Sequence, residues 1–143
     1  MTLVYFDSSA LVKLVLNEVG SDVAATLWNA SDSALSSRLA YPEVCAALAA
    51  AGRNHDLSES ETAGAMADWK DFWASIRPIE LTPAVEQDAG LLARDHRLRG
   101  ADAVHLASAR ALGVTDLTVA VWDRHLHAGA VAAGFAVAPA TLG

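Results

Sequence analysis

Two unbroken apolar runs, each finishing on a carboxylate, constrain this chain more than any other feature. "LVYF" (3–6) ends on Asp7, and "LTVAVW" (117–122) ends on Asp123. Runs that are apolar at every position and rich in β-branched or aromatic residues read as strands buried on both faces. Such strands belong to parallel sheets, whose crossover connections lay helices over both sides.

The rest of the chain supplies those helices. After a strand at 2–6, Ser8 or Ser9 is placed to cap a helix carrying Leu11, Val12, Leu14 and Val15, which Gly20 breaks. Residues 21–30 form a second amphipathic pattern, and "SALSS" (33–37) a strand of moderate quality. Pro42 is tolerated only in a helix's first turn, so a helix starts there. Val44 to Ala51 carries no charge, which predicts burial nearly all round. Ser58 and Glu61 have capping-box spacing ahead of a further helix. "IRPIEL" is a strand weakened by Pro78, and a helix from Pro83 is expected to run until Gly100. An apolar helix over 101–112 ends at Gly113, "RHLHAGAVAAG" gives a short helix, and "FAVAP" a last edge strand. Strands alternating with helices predict an α/β fold with a central, mainly parallel sheet. At 143 residues with 53% hydrophobic content and no Pro/Gly/Ser-rich linker, one domain over 1–143 is expected.

In an open parallel sheet the carboxyl ends of the strands share one edge, and ligands bind there. Asp7 and Asp123 therefore emerge together, each at the first position past a strand. Glu43 and Asp102 stand out as well, since each opens an apolar helical segment. Singly, each acid has a simpler role as a turn residue or a helix cap, where N–H groups and the helix dipole favour negative charge. Together they pose a problem, because clustered carboxylates raise one another's pKa or require a cation. Mg²⁺ takes oxygen ligands and would remove the repulsion, activating water and neutralising phosphate.

Four blocks around these acids resemble the PIN-domain ribonucleases, and within them the VapC toxins of bacterial toxin–antitoxin pairs. "VYFDSSALVKL" is similar to the family's opening, with Asp7 and the small polar Ser9. "SRLAYPEVCAAL" is similar to the second block and carries Glu43. "LRGADAVHLASA" is similar to the third, with Asp102, and "VWDRHLHAGAVAAG" to the closing block, with Asp123. The blocks keep the family's order over nearly the whole chain. One departure is Val121, where the family often has Thr or Ser two positions before the last acid. The resemblance implies a PIN-like α/β/α sandwich and Mg²⁺- or Mn²⁺-dependent RNA cleavage. It implies that Asp7, Glu43 and Asp102 hold the principal ion, with Asp123 completing the site or holding a second one. Ser9 would orient a carboxylate or a metal water. A homodimer is implied too, along with inhibition by a small VapB-like antitoxin protein whose tail covers the acidic pocket.

The remaining chemistry-bearing residues read more simply. His105 follows Asp102 by a turn on the same helix, where it could contact substrate, but amid Val104, Leu106 and Ala107 it reads as a packed histidine. His125 and His127, two apart on a helix, point to different sides and make a poor zinc pair. Cys45, on an apolar helix with no evident base, reads as core. Trp69, Phe72 and Trp73 make a packing stripe at helical spacing. Arg94, Arg97 and Arg99 are expected on a solvated face, paired with Glu86, Asp88 or Asp95, and Arg124 is the preferred RNA-phosphate contact. Net charge of −7 is unusual for a nucleic-acid partner, though Arg94, Arg97, Arg99, Arg110 and Arg124 supply half of the ten bases toward the carboxyl end.

Two alternatives share the acids: a degenerate module that binds RNA or protein without cutting, and a housekeeping RNA-processing nuclease. A phosphatase using Asp7 as nucleophile fits less well, since Ser9 stands where that chemistry wants a second acid. The lone Cys45 forms no intramolecular disulfide, and neither a signal peptide nor a membrane-length apolar run is evident. The expectation is a soluble cytoplasmic protein.

Overall fold

A computed structural model describes all 143 residues. Five strands form one sheet in the order β3-β2-β1-β4-β5, every neighbouring pair parallel. The strands are β1 (Leu3–Phe6), β2 (Ser33–Ser37), β3 (Ile76–Ile79), β4 (Leu117–Ala120) and β5 (Ala136–Ala138). Seven helices connect them: α1 (Ser8–Val15), α2 (Ser21–Ala30), α3 (Ala40–Arg53), α4 (Glu59–Ala74), α5 (Pro83–His96), α6 (Gly100–Arg110) and α7 (Arg124–Ala132). No helix is long and apolar enough to cross a membrane.

Strand alternation sorts the core into two layers. Val4 and Phe6 on β1 join Ala34 and Ala120 beneath helices α1, α3 and α4, around Leu11, Val44, Leu48 and Trp69. Tyr5 points the other way and joins Leu35, Leu117 and Val119 beneath α5, α6 and α7, around Leu92, Leu106 and Leu126. The result is an α/β/α sandwich with an all-parallel sheet.

Sheet order explains two weak strands. β3 lies at the edge, where Pro78 is tolerated because one side of the strand has no ladder to complete. β5 is the opposite edge and needs only three residues.

Several boundaries differ from the sequence expectation. Asp7, rather than Ser8 or Ser9, caps α1, accepting the Ala10 N–H at 2.9 Å. Helix α5 stops at His96 because Arg97 adopts a left-handed conformation, φ 54°, which turns Leu98 into the core. Gly100 therefore begins α6 rather than ending α5. β4 ends at Ala120, so Asp123 lies three residues past the strand, not one. Val121 still donates its N–H to Ala138 O, but the Trp122 N–H leaves the ladder for Ser9 Oγ. Helix α3 is not buried all round: Val44 and Leu48 face the core, whereas Ala46 and Ala47 are exposed, because alanine carries little apolar area to hide.

Candidate active site

The chain runs outward from β1 to β2 and β3, then returns to place β4 on the other side of β1. Sheet order thus reverses between β1 and β4, which is where a crevice opens at the carboxyl edge of such sheets. Asp7 leaves β1 and Asp123 follows β4 at this point. Glu43, in the first turn of α3, and Asp102, in the first turn of α6, face the same region, since Arg99 bonds Asp102 and its charge also acts on Glu43.

Asp7 is buried, with 3% of its surface exposed. Ser9 Oγ lies 2.7 and 2.9 Å from its two carboxylate oxygens. Burial pushes the Asp7 carboxyl up to about 6, against the opposing pull of His105, the Ser9 hydroxyl and the Ala10 N–H, and the Asp123 charge adds to the rise. Ser9 also accepts the N–H groups of Trp122 and Asp123, at 2.9 and 3.2 Å. One hydroxyl therefore ties the end of β1 to the turn after β4. Val121, the departure from the family pattern, is fully buried in the layer around Tyr5 and has no hydroxyl to offer. Ser9→Ala would strand the two turn N–H groups and strip Asp7 of its hydroxyl. Denaturant titration should show a loss of about 1–3 kcal/mol.

Asp102 and Asp123 share a cation. Arg99 Nε donates to Asp102 at 3.2 Å, and its Nη2 lies 3.6 Å from Asp123. The hydrogen bond to Asp102 and the charges of Asp102, Asp123 and Glu43 raise the Arg99 pKa further. Arg99 is exposed, as expected, but its partners are Asp102 and Asp123 rather than the expected Glu86, Asp88 or Asp95. Arg94 takes Asp95, Arg110 takes Asp88 through two hydrogen bonds, and Arg99, beyond the early end of α5, swings to the acids. Its side chain is 72% exposed, so these pairs are screened by water. Arg99→Ala should change unfolding free energy by less than about 1 kcal/mol, checked by denaturant titration.

Glu43 is held differently. Ser8 Oγ donates to its Oε1 at 2.5 Å, and His105 Nε2 lies 2.6 Å from the same oxygen. Burial pushes this carboxyl up, but the His105 and Ser8 hydrogen bonds, the imidazole's proximity and the Arg99 charge outweigh it and hold the pKa below the ordinary value. His105 is as buried as expected but is not simply packed: it also touches Tyr5 and Ser8. Tyr5, Ser8, Arg99 and His105 are the site residues that sequence reasoning missed. For His105 the signal, its place three residues after Asp102 on one helix, was outweighed by its apolar neighbours.

Other candidates fall outside the cluster. His125 and His127 each face a backbone carbonyl, of Arg97 and Pro139 respectively. Arg124 is exposed at the start of α7, next to Asp123, and reaches Leu142 O at 3.5 Å. Cys45 is half-buried beside the layer under α3.

No three Asp, Glu, His or Cys side chains converge as a ready-made ligand set. The carboxylates instead hold the partners described: hydroxyls on Asp7 and Glu43, a guanidinium between Asp102 and Asp123. The donors are nevertheless all hard oxygens, and Asp7 is an acid whose ionised form is short of compensating charge. That chemistry suits a hard divalent cation and not a soft one.

Comparison with known proteins identifies the family. The PIN-domain family matches residues 4–126, a span that includes all four acids. Ribonuclease VapC45 of Mycobacterium tuberculosis strain CDC 1551 is 69% identical over 142 residues, covering 99% of both chains. Ribonuclease VapC49 of M. tuberculosis strain H37Rv shows the same identity and coverage. Among solved structures, the M. tuberculosis toxin VapC20, described as cleaving the sarcin–ricin loop, superposes with a TM-score of 0.66 over 92% of this chain and 95% of its own, at 21% identity. The fold, the four acids at the switch point of its sheet and this full-length identity lead to one conclusion: the chain belongs to the PIN-domain family and, within it, to the VapC ribonucleases.

Proposed function

We propose that this protein is a Mg²⁺- or Mn²⁺-dependent endoribonuclease that acts as the toxin of a toxin–antitoxin pair. The observation that supports the proposal is the placement of four carboxylates at the carboxyl edge of the sheet, where Arg99 is the one cation paired with them, through Asp102 and Asp123. Asp7, Glu43 and Asp102 would hold the ion, and Asp123 would complete the site. When bound, the ion supplies Lewis acidity toward water and the scissile phosphate.

The chain's own residues do the rest. Ser9 fixes the Asp7 carboxylate and the turn that carries Asp123. Arg99 neutralises Asp102 and Asp123 in the metal-free protein and, being exposed and long, can turn to an RNA phosphate. Arg124 stands on the same rim and offers a second phosphate contact. Both residues place positive charge where the acidic net charge would otherwise repel RNA.

A small VapB-like antitoxin is the proposed protein partner, covering the acidic pocket. A homodimer is the proposed assembly, and the whole chain, 1–143, the proposed domain.

The test is cleavage of a labelled structured RNA by purified protein. Cutting is expected with Mg²⁺ or Mn²⁺ and abolished by EDTA. Persistent cutting in EDTA would overturn the metal requirement. RNA binding without cutting, under every metal condition, would favour the degenerate-module alternative.

A further inference from the structure

Tyr5 and His105 place polar atoms in a layer where an apolar pair would pack without a desolvation cost. Tyr5 is fully buried, and His105 is 2% exposed. Their rings meet edge to face with centroids 5.9 Å apart. Tyr5 Oη lies 2.8 Å from His105 Nδ1. On the far side of the ring, Nε2 lies 2.6 Å from Glu43 Oε1 and 3.2 Å from Ser8 Oγ.

Counting protons assigns the direction of this chain. A phenol keeps its proton until about pH 10, so Tyr5 Oη is a donor at neutral pH. That proton is given to Nδ1. The imidazole proton then sits on Nε2, facing the carboxylate. The opposite tautomer would set a bare nitrogen lone pair 2.6 Å from a carboxylate oxygen, with no proton between them. Glu43 Oε1 consequently receives two donors, Ser8 and His105, whereas Oε2 makes no hydrogen bond. Fixing one oxygen of a carboxylate fixes where the other points.

We propose that Tyr5 and His105 are positioning residues: a buried phenol–imidazole relay that clamps Oε1 of Glu43 and leaves Oε2 free for the divalent ion. The relay rests on the metal-dependent nuclease proposed above. It also links three parts of the fold, since Tyr5 sits on the central strand, His105 on α6 one turn after Asp102, and Glu43 on α3. Partners that orient a ligand in this way change metal affinity or activity by about 10–100-fold when removed.

The test compares wild type with His105→Leu, His105→Gln and Tyr5→Phe. In metal-free protein, ¹⁵N NMR of the His105 ring should find the proton on Nε2, with Nδ1 bare. Tyr5→Phe, which keeps the ring's shape, should leave the proton on Nε2, held by Glu43, but shift the Nδ1 resonance because that nitrogen loses its donor. Calorimetry with Mn²⁺ should show His105→Leu weakened by about 10–100-fold, with kcat reduced over the same range and KM for RNA little changed. His105→Gln, whose amide N–H can still donate to Glu43, should recover most of both. A merely structural histidine would not be rescued in this order. The relay is overturned if folded His105→Leu keeps wild-type Mn²⁺ affinity and kcat, or if the ring proton lies on Nδ1. Failure of the metal proposal is distinguishable, because it appears in wild type as cutting that survives EDTA. The relay is then judged on tautomer and on the kcat of His105→Leu alone.

Discussion

Asp7→Asn is expected to slow RNA cleavage by about a thousandfold or more and, in metal-free buffer at pH 7, to raise the unfolding temperature. The first effect follows from the proposed role of Asp7, which would be a charged ligand of an ion supplying several kcal/mol of transition-state stabilisation. The second follows from burial. The Asp7 carboxyl is pushed from 3.8 up to about 6, so the folded chain holds its proton more tightly than the unfolded chain does. For an acid shifted upward, the contribution to stability is most favourable below the unfolded value. It declines as pH rises toward about 6, and above that the penalty is constant. Asparagine keeps an acceptor for Ser9 and Ala10 but has no charge to bury. The variant's advantage should therefore open between about pH 4 and 6 and stay flat to pH 8. At about 1.4 kcal/mol per pH unit the ceiling is ~3 kcal/mol, and ~1–3 kcal/mol is expected once the weaker cap is counted.

Divalent metal should reverse that order. An ion that binds only the folded state stabilises it by mass action, ~2.7 kcal/mol at a hundredfold excess over Kd. Wild type should gain this in Mn²⁺, and Asp7→Asn should gain far less. Thermal melts at several pH values, with Mn²⁺ and with EDTA, measure all of it beside the cleavage assay. Wild-type turnover by the variant would remove Asp7 from the site, or reveal a contaminating nuclease if the activity matches in every condition. A lower melting temperature for the metal-free variant at pH 7 would show that the buried carboxylate is stabilising, contrary to its environment.

The backbone of this site was legible in the sequence because it is written in runs and periods. Leu3–Phe6 and the apolar segment from Leu117 admit one kind of sheet, and the acids that follow them had to share an edge. What stayed hidden depends on chain reversal and on side-chain direction. Arg99 looked like one of three arginines on a solvated helix. A left-handed residue at Arg97, which nothing in its identity announces, ends that helix early and sends Arg99 to Asp102 and Asp123. His105 looked apolar by its neighbours in sequence. Its polar partners come from β1, α1 and α3, up to 100 residues away, and no local pattern encodes them. Ser9 was singled out by family resemblance alone. Its bonds to Trp122 and Asp123, across the sheet's switch point, are tertiary.

Trp69→Ala should produce the largest loss of stability of any single change considered, about 3–5 kcal/mol. Trp69 is fully buried on α4 and is among the largest side chains in the layer beneath α1, α3 and α4. It stacks on Tyr41 with centroids 5.9 Å apart and planes at 24°, and tilts against Trp73 at 5.6 Å. Trp28 and Phe72 extend the cluster edge to face at 5.1 Å. At roughly 3 °C per kcal/mol for a chain of this size, the melting temperature should fall by ~10–15 °C. The packing also reaches the site, because Tyr41 lies two residues before Glu43 in the first turn of α3. Loss of the indole should let that turn shift, so the fraction that remains folded should cut RNA more slowly. Trp69→Phe separates shape from polarity. Trp69 Nε1 is buried without a hydrogen-bond partner, so phenylalanine removes an unsatisfied donor while keeping much of the ring. Its cost should fall well below that of alanine. Urea titration of the three proteins decides the matter. A loss under ~1 kcal/mol for Trp69→Ala would mean that the layer collapses into the space, whereas equal losses for Ala and Phe would mean that the indole N–H has a partner after all.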